Sequence, residues 1–218
     1  MSCAYLASFR PLCSTRHGRA AVDALEIPPF VDGSCRREPD LEHEKPGISA
    51  LCRGSRFAPR LKIGDRVAFV TTRGRYLDDE DAGWRLVALL QVLHRFASHR
   101  EAATWYRNEG LRLPSNCVIP GNRPLPLERT LGPSGYRGCS GASVIEQWDA
   151  EYQQRAKKCP GFLVCTPLMV ELCSPAKIHT KDWLKWCGKV PGTQNPPEIS
   201  EALWDRLRGL TPRGRRAS

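Results

Sequence analysis

Residues Phe57–Thr72 read FAPRLKIGDRVAFVTT. Pro59 and Gly64 keep helix out of this run, and Gly64-Asp65 is a turn pair placed just before an apolar block. From Val67 on, side chains alternate: Val67, Phe69 and Thr71 share one face, Ala68, Val70 and Thr72 the other. Neither face is charged, so the segment reads as a strand packed on both sides.

Working outward, Arg73–Gly83 reads as a hairpin connection with Asp78, Asp79, Glu80 and Asp81 at a solvated tip. Trp84–His94, WRLVALLQVLH, is its antiparallel partner, again apolar on both faces. Ser98 with Glu101 forms a capping box, and Gly110 closes the helix between them. A second helix is expected from Ser143, with Val144, Trp148 and Tyr152 on its inward face. Pro160-Gly161 stops it. Leu113–Gly141, with five prolines, is a long loop and a candidate binding edge. GFLVCTPLMVEL, Gly161–Leu172, reads as strand broken at Pro167. Toward the N-terminus, Ser2–Phe9 alternates as a first strand and Ile48–Cys52 as a short one. Ile199, Leu203, Leu207 and Leu210 mark an amphipathic helix. The expected fold is α+β: one domain, a mixed β-barrel of five to seven strands with three or four flanking helices. The expected organisation is a domain over 1–198, a C-terminal helix over 199–212, and a basic disordered tail over 213–218.

The order of these elements, and the stretches LKIGDRVAFVTT and FLVCTPLMVEL, carry a resemblance. The first resembles the K-x-G-D-x-V-x-hydrophobic entry strand of the PUA-like superfamily, which includes PUA, ASCH, EVE and YTH domains. The second resembles its last barrel segment. The layout is most similar to the nucleotide modification-associated domains. That resemblance implies a PUA-like barrel and a nucleic-acid-associated module that recognises a modified or flipped base, linked to DNA base modification. It also implies base-modifying enzymes as partners. An alternative follows from the ASCH relatives: a small amidohydrolase or ribonuclease built on Lys62, Thr71 or Thr72, and Glu38.

The most unusual segment is PPFVDGSCRREPDLE, Pro28–Glu42, which has no helical or strand period and is dense in charge. Arg36 and Arg37 are suited to forked bonds with phosphate or a base edge. Asp32, Ser34 and Glu38 can bond an exocyclic amine or hydroxyl, and Arg53 follows the next strand closely enough to converge on them. Stacking completes base recognition, and Trp84 stands at the start of a strand. The candidate base-binding set is thus Asp32, Ser34, Arg36, Arg37, Glu38, Arg53, Thr71, Thr72 and Trp84.

The chain of 218 residues carries a net charge of +10, part of it in five arginines between Arg206 and Arg216. A basic balance favours an anionic partner such as nucleic acid. No C-x-x-C pair occurs among the ten cysteines and the five histidines show no ligand spacing, so no metal is expected. No P-loop, G-x-G-x-x-G, G-x-S-x-G or H-E-x-x-H is present, so neither a cofactor nor a familiar hydrolase is indicated. No run approaches the ~20 apolar residues of a membrane span, and no signal peptide is read at the N-terminus. A cytoplasmic protein with reduced thiols is expected.

Overall fold

The computed structural model describes residues 2–133, 138, 140–193 and 195–210. The tail at 213–218 lies outside them. The fold is mixed α+β, with one seven-stranded sheet and five α-helices among the described residues. The sheet is built on β4 (Trp84–Phe96), whose 13 residues span several neighbours. On one side β4 pairs antiparallel with β3 (Arg66–Thr71), as the hairpin reading requires. On the other it pairs with β5 (Phe162–Val170) and, at its N-terminal end, with β6 (Ala176–Ile178). β3 pairs in parallel with β1 (Ala4–Phe9), β1 with β7 (Glu198–Ile199), and β5 with β2 (Gly47–Ser49). The path β2-β5-β4-β3-β1-β7 is open. Closure into the expected barrel would need β2 and β7 to meet, and no such pairing occurs among the described residues.

Both faces of the sheet are covered, which is why its strands are apolar on both sides. Tyr5, Phe9, Val67, Phe69, Val87 and Leu90 lie in one core, with Phe30 and Leu41 from the charged segment and Phe57. Ala4, Leu6, Ala68, Val70, Leu86 and Leu89 lie in the other, under Trp183 and Trp204. Those two tryptophans come from α4 (Thr180–Cys187) and α5 (Glu201–Gly209).

The Gly64-Asp65 turn fastens the strands at their start. Gly64 takes φ +89, a conformation natural to glycine. The Asp65 carboxylate accepts from Cys3 N and Lys62 N, each at 2.8 Å. Gly64 N also donates to Val92 O, and Val92 N to Asp65 O. One turn therefore aligns β1, β3 and β4.

The helices follow their local signals with small shifts. Ser98 caps α2 (His99–Asn108), its Oγ accepting from Glu101 N. α1 (Arg16–Leu25) is capped by Thr15. α3 (Gly141–Lys158) begins before Ser143, with Ser140 at its N-cap. β5 is not broken at Pro167. It continues through a register shift in which Leu89 faces Met169 and Leu90 faces Pro167, leaving Leu168 over, half exposed. A bulge is where a strand tolerates a residue without an N–H. The acidic hairpin is not wholly solvated: Asp79 is half-buried and pairs with Arg85 and with Lys177.

Candidate functional site

The charged segment 28–42 is folded inward, contrary to its composition. Phe30 and Val31 are buried, and Phe30 N donates to Leu172 O. Asp32 forms an isolated bridge with Pro11, and Gly33 is laced by Gly33 N to Arg10 O and Leu131 N to Gly33 O. A Cβ at Gly33 would sit 2.5 Å from Leu131 Cδ2, so a residue without a side chain suits the crossing. Arg36, Arg37, Glu38 and Asp40 are all buried. Charges are buried only when partnered, and most of these are.

Glu38 is held by three donors: Ser49 N at 2.5 Å on Oε1, and Ser49 Oγ at 2.6 Å and Asn116 Nδ2 at 3.0 Å on Oε2. Burial still pushes its carboxyl up to about 7, the nearby Asp32 adding to the rise against these bonds. Asp32 Oδ1 accepts from Ser34 N at 2.9 Å and Ser34 Oγ at 2.5 Å. Burial raises Asp32 to about 6, with the Ser34 bonds and the Arg37 charge opposing. Two carboxyls that titrate near neutrality can each act as acceptor or, protonated, as donor.

These groups line a cavity of about 490 Å³. Ser8, Phe9 and Arg10 come from the end of β1, and Thr72 from just past the end of β3. Asp32, Ser34 and Glu38 come from the loop, Cys52 and Arg53 from beyond β2, and Tyr152 from α3. The cavity thus opens at the carboxyl ends of the parallel pair, where strands stop and loops can diverge. Arg53 donates to Ser8 O and its guanidinium lies 5.8 Å from the centre of the Phe57 ring.

Of the residues expected at a site, Asp32, Ser34, Glu38, Arg53 and Thr72 meet at this cavity. Four do not. Arg36 is spent on a forked ion pair with Asp149, at 2.6 and 3.1 Å, and on the carbonyls of Ser115 and Asn122. Arg37 pairs with Glu42 and lines a different cavity. Thr71 is buried with its Oγ1 accepting from Arg85 N. Trp84 packs edge-on against Trp183 in the second core, at 6.1 Å between ring centres. The Lys62–Thr–Glu38 hydrolase set is not assembled either. Lys62 is exposed at the entry turn, and six residues of β3 separate that turn from Thr72, roughly 20 Å at ~3.3 Å per residue.

Tyr152, expected only on the inward face of a helix, and Phe9, expected only in a strand, also reach the cavity. Tyr152 carries the one available signal: a hydroxyl on the inward stripe of a helix, which needs a polar surrounding. Ser49, Asn116 and Asp149, which hold the loop's charges, gave no local signal. Among the described residues no group of three or more His, Cys, Asp or Glu could hold a metal, and no helix is long and apolar enough to cross a membrane. No protein-family model, no curated protein and no solved structure matches the chain.

Proposed function

We propose that the chain binds a nucleobase, flipped out of a nucleic acid or modified, in the cavity between Asp32 and Arg53. The observation that carries the reading is the convergence there of Asp32, Ser34, Glu38, Arg53 and Thr72 beside Phe9 and Tyr152. A base needs a ring-sized space with apolar walls and a few fixed donors and acceptors at its edge, and this lining supplies both kinds. The Asp32 carboxyl suits adjacent N–H groups such as a ring imide and an exocyclic amine. Arg53 suits a carbonyl edge. The net charge of +10 supports a polyanionic partner, with DNA carrying modified bases as the proposed ligand and base-modifying enzymes as proposed co-workers. As part of the same reading we take the fold as PUA-like in its entry turn and in the β3–β4 hairpin that follows, carried on an open sheet.

The test is titration of wild type and Asp32→Asn with oligonucleotides carrying modified or plain bases. Asp32→Asn is expected to cost ~1–3 kcal/mol on the preferred base and to relax discrimination. Equal loss on both substrates would sink the base reading. Deleting Arg213, Arg215 and Arg216 is expected to weaken binding to all sequences alike and reduce the salt slope.

A second reading rests on one observation: two carboxyls with raised pKa share the cavity, the condition for acid and base roles near neutrality. Turnover of a modified nucleoside, abolished by Glu38→Gln, would favour a hydrolase.

A further inference from the structure

Arg36 and Arg37 are adjacent in sequence, equally buried, and unlike in what they bond. The Nε/Nη2 edge of Arg36 grips the Asp149 carboxylate. Among the described residues Arg37 pairs only through Nη1, with Glu42, while its Nε and Nη2 find no acceptor there at 1% exposure. A buried guanidinium with that edge unpaired is costly unless something binds it.

Arg37 lines a second cavity of about 490 Å³, which shares no lining residue with the Asp32 cavity. Arg112, Arg123 and Arg129 also line it, against the carboxylates of Asp40 and Glu42. Four guanidinium groups face two carboxylates, an excess of two positive charges. Ser115 stands there too, its backbone fixed by Ser115 N donating to Asp40 Oδ2 at 2.8 Å. Its Oγ has no partner among the described residues, although the residue is only 8% exposed.

We propose that this cavity is a phosphoryl-binding site, with Arg37 Nε and Nη2 and Ser115 Oγ donating to the phosphoryl oxygens and Arg112, Arg123 and Arg129 at its rim. The side-on edge of arginine matches two oxygens of one phosphate, as the Arg36–Asp149 pair matches a carboxylate within this same loop. The excess of two charges suits a phosphate monoester, which carries roughly −1.5 to −2 at neutral pH, better than a singly charged carboxylate. The site stands independently of the base cavity.

The experiment is thermal unfolding and calorimetric titration of the full chain with inorganic phosphate at constant ionic strength, then with oligonucleotides bearing a 5′-phosphate or a 5′-hydroxyl. Phosphate is expected to raise Tm saturably. Ser115→Ala, which removes a hydroxyl with no partner among the described residues, is expected to leave the unliganded Tm unchanged and weaken phosphate about 3- to 10-fold. Arg37→Lys, or Arg112→Ala with Arg129→Ala should Arg37→Lys not fold, is expected to weaken it about 10-fold or more. Asp32→Asn should leave the phosphate response intact, which separates failure here from failure of the base reading. Tighter binding of the 5′-phosphate strand identifies a terminal monoester as the source. Equal binding of both strands, with both weakened by Ser115→Ala, identifies a backbone phosphodiester. Absence of a saturable phosphate effect in wild type, or its full retention in the Ser115 and arginine variants, overturns the proposal.

Discussion

Asp32 and Glu38 are acidic residues that favour their proton because they are buried, and this makes a pH signature. Their ordinary values are 3.8 and 4.5, and in the fold they titrate at about 6 and about 7. With folded pKa above unfolded, the folded state holds the extra proton. The stability these groups contribute is present below about pH 4 and is lost as pH rises through 6 for Asp32 and 7 for Glu38. Urea unfolding from pH 4 to 8 should therefore show Asp32→Asn and Glu38→Gln gaining on wild type as pH rises. A constant difference across that range would show that neither carboxyl has a pKa raised by folding. At this scale the sequence was partly legible. Asp32, Ser34, Glu38 and Arg53 could be picked out as polar groups in an unpatterned loop. Their pairing could not, since Glu38 meets Asn116 and Arg36 meets Asp149, far away in the chain.

Among the elements, the entry turn carries the clearest local logic. Asp65 is buried with one carboxylate oxygen on Cys3 N and the other on Lys62 N. Asp65→Ala would leave two backbone donors without their acceptor at the point where β1, β3 and β4 meet. A loss of about 1–3 kcal/mol is expected, read as a lower urea midpoint with unchanged m-value. A loss within error would mean that water replaces the carboxylate there. β3, β4 and α2 were legible because periodicity and capping are short-range properties. The start of α3 and the continuity of β5 were not: the backbone passes Pro167 by shifting register against β4, where Pro167 faces Leu90, far earlier in the chain.

For the molecule as a whole, the second core depends on helices drawn from the last forty residues. Trp204 of α5 is 2% exposed among Leu6, Ala68 and Trp183, with the Arg66 guanidinium 4.9 Å from its ring centre. Trp204→Ala should cost about 3–5 kcal/mol, measured by denaturant unfolding, because a large void opens beneath the sheet. A much smaller cost would show that α5 lies on the sheet without holding it. Arg66→Ala, which removes the cation over the ring and the ion pair with Glu201, should cost less, about 1 kcal/mol.

The sequence by itself determined the two-sided strands, the turn that opens β3, the capped start of α2 and the α+β class. Each is set by residues within a few positions of one another. Only the tertiary structure decided that β1 runs parallel to β3, that the sheet path stays open, and that the most charged loop is buried. Charge in a sequence reads as exposure because an isolated charge is costly to bury. Here Asp149, Asn116, Ser49 and Glu42 remove much of that cost, and all but Glu42 come from outside the loop.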